Sequence, residues 1–322
     1  MVRSDEAVVS KKLRPHLAMA NIGETLRDAY ALVISSMVRR EAVTHLQIAT
    51  RHPLRHTFGV NDVGAHLIGF WRRRELLWHM TVRHLRGQYK QSVLGYAWAF
   101  VNPLSQMLIM TFVFSTILRF SSEGTPYPLF LFVGLIPWIF FSSAIASGTE
   151  SVVGASSLVT KVYFPREVLP TAAVLTKLVD LGFGILILMG LMVYYGDPPE
   201  LTAWWLPVLF SIHLIFTLGL AYPLAALNLF FHDVRFLVGV VLTMWFYLTP
   251  VLYTVDIVPP RYRFLYEINP NSLFINAYRR VLLHGEDPGV EKVLLGLVIA
   301  VATFLVGYYL FKKMEPAFAD RI

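Results

Sequence analysis

Long, uninterrupted runs of apolar residues fill most of this chain after its first 90 residues. The first run, residues 91–118, contains 28 residues without a single charged side chain. At about 1.5 Å of rise per residue, roughly 20 apolar residues are enough to cross the hydrocarbon core of a bilayer. The pattern therefore predicts an all-α integral membrane protein.

Six apolar runs have the length and spacing expected of transmembrane helices. The predicted spans are residues 93–118, 128–149, 170–195, 203–230, 234–253 and 291–311. Asn102-Pro103 lies inside the first span, and Pro137 predicts a kink in the second because proline removes a helical hydrogen bond. An even number of crossings places the two termini on the same side of the membrane.

The charge pattern indicates which side that is. Residues 1–95 carry 15 Lys and Arg against 7 Asp and Glu, whereas the remainder carries 13 against 14. The predicted inner connections hold twelve Lys and Arg and the outer ones five. Positively charged connections stay in the cytoplasm, so we expect both termini there. We divide the chain into a cytoplasmic extension, residues 1–70, an interface helix, residues 71–92, and a transmembrane domain, residues 93–322.

Two segments before the first span have the pattern of amphipathic helices. In residues 21–40, apolar side chains recur at spacings of three and four. That helix either packs on its neighbours or lies on the membrane surface. Residues 71–92 combine Arg with Trp and apolar positions, which is typical of a basic helix in the cytoplasmic interface. A plain juxtamembrane anchor is a compatible alternative. The residues that mark the predicted interface helix are Trp71, Arg72, Arg73, Arg74, Trp78, Arg83 and Arg86.

The segment between the fifth and sixth spans, residues 254–290, is more than a connector. Two short stretches with helical periodicity flank the break at Asn269-Pro270, and each is too short to span. Because many aromatic residues would otherwise face water, we predict two re-entrant or interfacial helices here. An ordinary extracellular helical hairpin is the alternative. The aromatic residues that mark the two helices are Tyr262, Tyr266, Phe274 and Tyr278.

Composition excludes several classes of function. Apolar residues make up 56% of the chain and charged residues 15%, against about 25% charged in soluble domains. There is no cysteine, which excludes disulfides, thiol catalysis and thiolate metal sites. No Gly-Lys pair occurs, so the phosphate-binding loop of ATPases is absent and nucleotide energy must come from another chain. No catalytic group, metal site or bound cofactor is predicted.

Two charged residues lie inside a predicted span. Lys177 and Asp180 are three positions apart, which places them on one helical face where they can pair. A charge facing lipid costs several kcal/mol, so the pair should face the protein interior. We interpret it as a structural ion pair, with a coupling-ion or substrate site as the alternative.

The connection after the second span combines aromatic and charged residues on a short loop. Such a surface suits contact with a soluble partner, although boundary charges at helix caps explain it too. Its residues are Tyr163, Phe164, Pro165, Arg166 and Glu167. The turn at residues 232–235 is also charged, and there we favour a simple helix cap.

These motifs together resemble a known family. In order and spacing they resemble ABC-2-type permeases, and the segments that carry the resemblance are residues 85–98 followed by Asn102-Pro103, the 163–167 connection, the 232–235 turn, the Asn269-Pro270 segment and the closing residues 315–320. In particular, they look like the branch that exports lipid-linked polysaccharides such as O-antigen, teichoic acid, capsule or galactan. The resemblance covers residues 71–322, whereas the first 70 residues exceed the usual leader.

The resemblance implies a homodimer in a bacterial plasma membrane, paired with two copies of an ABC ATPase that hold ATP and magnesium. The interface helix and the 163–167 connection would contact the ATPase, and the two outer helices would act as gate helices. No contact with nucleic acid is expected. Aromatic side chains would line a channel for the lipid-linked glycan, with core packing as the alternative for each. The candidates are Tyr127, Trp138, Phe140, Phe141, Trp245, Phe246 and Tyr247.

Two other functions remain open from the sequence. A member of the same superfamily could export drugs or small lipids instead of glycans. A membrane-embedded transferase acting on a lipid-linked substrate would need charged residues converging on one bilayer face, and the sequence shows no such cluster.

Overall fold

Helices account for nearly all of the residues whose structure is described. The computed structural model describes residues 74–89, 95–120, 124–161, 164–318 and 321, and no β-strand occurs among them. The predicted extension, residues 1–70, lies outside them. The helices are α1 (Arg74–Tyr89), α2 (Trp98–Thr111), α3 (Tyr127–Gly154), α4 (Ser156–Lys161), α5 (Val168–Tyr195), α6 (Leu206–Phe230), α7 (Val234–Tyr247), α8 (Arg263–Ile268), α9 (Pro270–Leu283) and α10 (Val290–Met314).

Five continuous helical stretches in the described part of the chain are long and apolar enough to cross a membrane. A 3₁₀ turn leads into α2 and a π-helical turn extends it, and further 3₁₀ turns precede α6 and follow α10. The stretches cover Gly95–Ile117, Tyr127–Gly154, Val168–Tyr195, Leu201–Phe230 and Val290–Phe318. The all-α prediction is confirmed for the described residues, and the five stretches agree with an integral membrane protein.

The predicted fifth span is shorter than the apolar run suggested. α7 has 14 residues, about 21 Å of helix, against roughly 30 Å of bilayer core. The chain leaves the helix at Leu248 and turns through Thr249 and Pro250. Proline cannot donate a backbone hydrogen bond and disfavours helix at the preceding residue, which accounts for the early end. Residues 248–253 are therefore not helical.

α3 forms the centre of the bundle and packs along α5 and α6. Its side chains from Leu129 to Leu135 are almost entirely buried. α6 packs in turn along α10, and the two backbones approach closely where Gly219 faces Gly307. A Cβ atom on Gly307 would overlap the carbonyl oxygen of Gly219. Small residues at a crossing are how membrane helices pack when no hydrophobic effect drives them together.

α2 and α7 have few packing partners within the chain. Ala99, Pro103 and Met107 are the buried residues of α2, and Val238 and Leu242 are those of α7. Many of their other side chains, including Ile109 and Phe236, are exposed and apolar. These two faces are suited to lipid or to another apolar surface.

Candidate functional site

One end of the bundle, here called the α1 face, gathers most of the charged residues that the sequence singled out. It consists of α1, the connection at residues 155–167, the turn at residues 231–233 and the closing segment Glu315–Phe318. A side-chain contact joins two of these parts, because Arg166 Nη1 in the connection donates to Glu315 O in the closing segment at 2.6 Å. The other end, here called the α9 face, carries α8 and α9.

The predicted interface helix corresponds to α1, which packs along the first half of α5. Thr176 Oγ1 on α5 lies 3.4 Å from Thr81 O on α1. Arg74, Arg83 and Arg86 are exposed, and Trp78 is 67% exposed. An exposed tryptophan beside exposed arginines suits a helix at headgroup level. Trp71, Arg72 and Arg73 lie outside the described residues.

Lys177 and Asp180 contact each other and also tie α5 to α1. Lys177 Nζ lies 3.5 Å from Asp180 Oδ2 and donates to Gln88 Oε1 at 2.7 Å. Gln88 Nε2 donates back to Asp180 Oδ2 at 3.2 Å. Each of the three side chains therefore contacts the other two. The sequence indicated the pair but not its glutamine partner on α1.

The predicted docking connection divides into an accessible part and an internal part. Phe164, Pro165 and Arg166 are half-buried, whereas Glu167 is 2% exposed. Lys312 Nζ lies 2.6 Å from Glu167 Oε2, which makes Glu167 an internal contact and not a surface for a partner. The sequence grouped Glu167 with the docking residues because it could not show this contact. Tyr163 lies outside the described residues.

A cavity of about 590 Å³ opens between α1, the end of α3, α5 and the 231–235 turn. Its lining carries more cationic than anionic groups, and the ionisable residues are Arg83, His84, Glu150, Lys177, His232 and Arg235. Burial, followed by Lys177 and Arg83, lowers the pKa of His84 below its ordinary value. Desolvation, and after it the positive charge of Lys177 and Arg83, disfavours the protonated form of His84.

At the α9 face, Asn269 joins the end of α7 to the start of α9. Its Nδ2 donates to Leu248 O at 3.1 Å and to Thr249 Oγ1 at 3.0 Å. Its Oδ1 accepts from Trp245 Nε1 at 2.8 Å and from the backbone N of Asn271 at 3.1 Å. One amide therefore caps α9 at its N-terminus and satisfies a carbonyl that the ending of α7 leaves free.

Arg279 on α9 also binds backbone carbonyls of the segment that follows α7, deeper in the protein. Its Nη1 donates to Pro250 O at 2.6 Å and its Nη2 to Val251 O at 2.7 Å. The guanidinium carbon lies 3.7 Å from the centroid of the Phe130 ring. A planar guanidinium suits two carbonyls on one side and an aromatic face on the other. Arg279 is 6% exposed, and the sequence reading did not single it out.

The four aromatic residues predicted for the outer helices have different environments. Phe274 and Tyr278 are fully buried, and Tyr278 Oη lies 3.4 Å from His213 Nδ1. Tyr262 is 44% exposed, and the Tyr266 hydroxyl is 2.7 Å from that of Tyr253. α9 packs against α3, α6 and α10, whereas α8 has few packing partners.

The channel-lining candidates on α3 pack inside the bundle. They are Tyr127, Trp138, Phe140 and Phe141, none more than 6% exposed. Phe141 lies 5.3 Å from Trp245 between ring centroids, and Trp138 lies 5.5 Å from Phe246. Tyr247 is 59% exposed. The packing alternative thus describes the α3 residues in this conformation, and their contact with glycan stays a prediction.

A membrane bundle with a basic helix along one end and an interrupted helix at the other is compatible with several transporter families. The comparison with known sequences decides between them. Residues 75–283, which are most of the chain, match the ABC-2 type transporter family. The chain belongs to that family. It is therefore a membrane subunit of a transporter, and the matched range runs from the second residue of α1 to the last residue of α9.

Related ABC-2 proteins cover most of this chain. The O-antigen export system permease protein RfbA of Myxococcus xanthus is 32% identical over 255 residues, 78% of this chain and 97% of that protein. The protein of the same name from Klebsiella pneumoniae is 30% identical over 247 residues, 76% and 94% of the two chains. The polysialic acid transport protein KpsM of Escherichia coli is 22% identical over 252 residues, 77% and 97% of the two chains.

Proposed function

We propose that this chain is the membrane-spanning permease subunit of an ATP-driven exporter of a lipid-linked polysaccharide. The observation that carries the proposal is the similarity to two O-antigen export permeases along more than nine tenths of their length. The sequence carries no phosphate-binding loop, in keeping with a separate ATPase subunit. ATP and magnesium bind to that subunit, and this chain binds no cofactor and no nucleic acid.

The α1 face is cytoplasmic in this proposal, as are both termini, and the membrane is the bacterial plasma membrane. The support is the basic surface of α1 and the excess of Lys and Arg on the predicted inner connections. The chain then crosses six times, with residues 248–253 completing the crossing that α7 begins. Non-helical backbone is tolerated at membrane depth where protein covers it, and Thr249, Pro250, Val251 and Leu252 are buried.

The ATPase docks on the α1 face, against exposed residues of α1 and the accessible part of the 163–167 connection. Two copies of this chain pair with two ATPase copies. The exposed apolar faces of α2 and α7 suit contact between the two permease copies. Closure of the ATPase pair moves the connection, and the spans transmit that movement to α8 and α9, which act as gate helices.

Depletion of the protein in its own cells tests the proposal. We expect a lipid-linked glycan to accumulate on the cytoplasmic leaflet and to be exported again when the wild-type gene is restored. Restoration with the Tyr163→Ala, Phe164→Ala variant should leave the glycan inside, since that variant loses its ATPase contact. An exporter of drugs or small lipids would leave glycan distribution unchanged on depletion, which would refute the proposed substrate.

A further inference from the structure

Two motifs that lie far apart in the sequence form a single ionic cluster at the α1 face. Lys312, near the end of α10, contacts Glu167 Oε2 at 2.6 Å and Glu315 Oε2 at 2.8 Å. The 163–167 connection makes a second contact with this cluster, because Arg166 Nη1 donates to Glu315 O at 2.6 Å. The Arg166 backbone N also donates to Glu315 Oε1 at 3.2 Å. The closing segment is thus bound to the residues just before α5.

The centre of the cluster is buried. Glu167 is 2% exposed and Lys312 is 6% exposed, and Lys312 contacts the carboxylates of Glu167 and Glu315, whereas the Arg166 guanidinium binds the backbone carbonyl of Glu315. A buried ion pair is weak evidence for stability, because desolvation offsets most of the attraction between the charges. Its better-attested use is to fix one arrangement of the elements that it joins.

Further contacts extend the cluster into the membrane domain. Thr171 Oγ1 donates to Glu167 O at 2.7 Å and lies 2.8 Å from the Tyr222 hydroxyl on α6. α6 crosses α10 closely at the Gly219 and Gly307 pair. The ends of α5, α6 and α10 are therefore held together beside the connection, with little freedom to move separately.

We propose that Lys312 and the closing segment Glu315–Phe318 couple the ATPase to the last span, through the buried contact of Lys312 with Glu167. The inference rests on the proposed function, in which the ATPase moves the 163–167 connection. Lys312 acts here as a positioning residue. It keeps the connection and the end of α10 in one rigid unit, so that displacement of one displaces the other.

The first test uses the complete complex with its ATPase, reconstituted in liposomes with its lipid-linked glycan. For Lys312→Met we expect assembly with the ATPase and ATP turnover within twofold of the parent, but at least a tenfold loss of glycan exported per ATP hydrolysed. Lys312→Arg should keep at least half of the parent ratio, because a guanidinium reaches both carboxylates. Lys313→Met is the matched control, since Lys313 is exposed on the same turn of α10 and should leave the ratio unchanged.

An unchanged ratio in Lys312→Met would overturn the inference. If Lys312→Met does not assemble with the ATPase, the inference is tested with the double variant Glu167→Gln, Lys312→Met. That variant leaves no unpaired buried charge at either of these two positions. The double variant should assemble and show the same tenfold loss. Parent complexes that neither bind the ATPase nor export glycan would instead refute the proposed function, so the two failures are distinguishable.

Discussion

Replacement of Arg279 by methionine tests whether the interrupted fifth crossing depends on this one side chain. Arg279 donates to the carbonyls of Pro250 and Val251 at 2.6 and 2.7 Å and stacks on Phe130. Methionine has a similar apolar stem but cannot donate, so two buried carbonyls lose their partner. Both lie in non-helical backbone, which no water can satisfy if it lies at membrane depth.

The expected loss of unfolding free energy in Arg279→Met follows from these contacts. A hydrogen bond to a charged group contributes about 1.5–3 kcal/mol, and a desolvated cation–π contact about 2 kcal/mol. The cost of burying the guanidinium is recovered on substitution, while each buried carbonyl left without a donor costs about 1–3 kcal/mol, so we expect a net loss of about 3–5 kcal/mol. Arg279→Lys should lose less, about 1–3 kcal/mol, because an ammonium can still donate to one of the carbonyls.

The assay is reversible unfolding in mixed micelles, followed by circular dichroism as the fraction of denaturing detergent rises. Arg280→Met is the matched control. Arg280 contacts Glu286 at 3.1 Å, with the two side chains 37% and 60% exposed, so its loss should cost at most about 1 kcal/mol. If Arg279→Met unfolds at the same detergent fraction as Arg280→Met, the hydrogen bonds from Arg279 to the carbonyls of Pro250 and Val251 do not stabilise the fold.

Three further predictions concern packing and charge. Gly307→Ala should destabilise the α6–α10 crossing by about 1–3 kcal/mol, because its Cβ would overlap Gly219 O, whereas Gly190→Ala, which meets nothing within 4 Å, should not destabilise the protein. Lys177→Met should cost about 1.5–3 kcal/mol in the same unfolding assay, and Lys177→Met with Asp180→Asn less than the sum of the single losses. The pKa of His84 is lowered in the folded protein, so stability should fall as pH drops below about 6.5, where the unfolded chain takes up the proton first. His84→Gln should flatten that pH dependence, and a slope that persists in the variant would assign it to another group.

The positions of the long spans could be predicted from the sequence, because the length of each apolar run and the charges at its ends determine where a span begins and ends. The predicted third span, residues 170–195, differs from α5 by two residues at its start. The same reasoning failed at the fifth span, where the apolar run continues to residue 253 but the helix ends at Tyr247. Hydropathy does not detect a helix end inside an apolar run, although Pro250 was a signal that could have shown it.

Charged contacts between near neighbours in the chain could be predicted from the sequence, whereas contacts between distant residues could not. Lys177 and Asp180 could be paired from the sequence because their spacing of three sets them on one helical face. Glu167 and Lys312 are 145 residues apart, and no local rule connects them. Of the adjacent Arg279 and Arg280, only helical phase shows which is buried, since Arg279 shares a face with Ile275 and Leu282.

The most direct test of the account is transport by purified components. Liposomes that contain this chain, its ATPase and a lipid-linked glycan should move the glycan to the opposite leaflet only when ATP and magnesium are added. Liposomes with this chain alone should neither hydrolyse ATP nor move glycan. ATP turnover by this chain alone, or glycan movement that does not depend on the ATPase, would contradict the claim that it is a permease powered by a separate subunit.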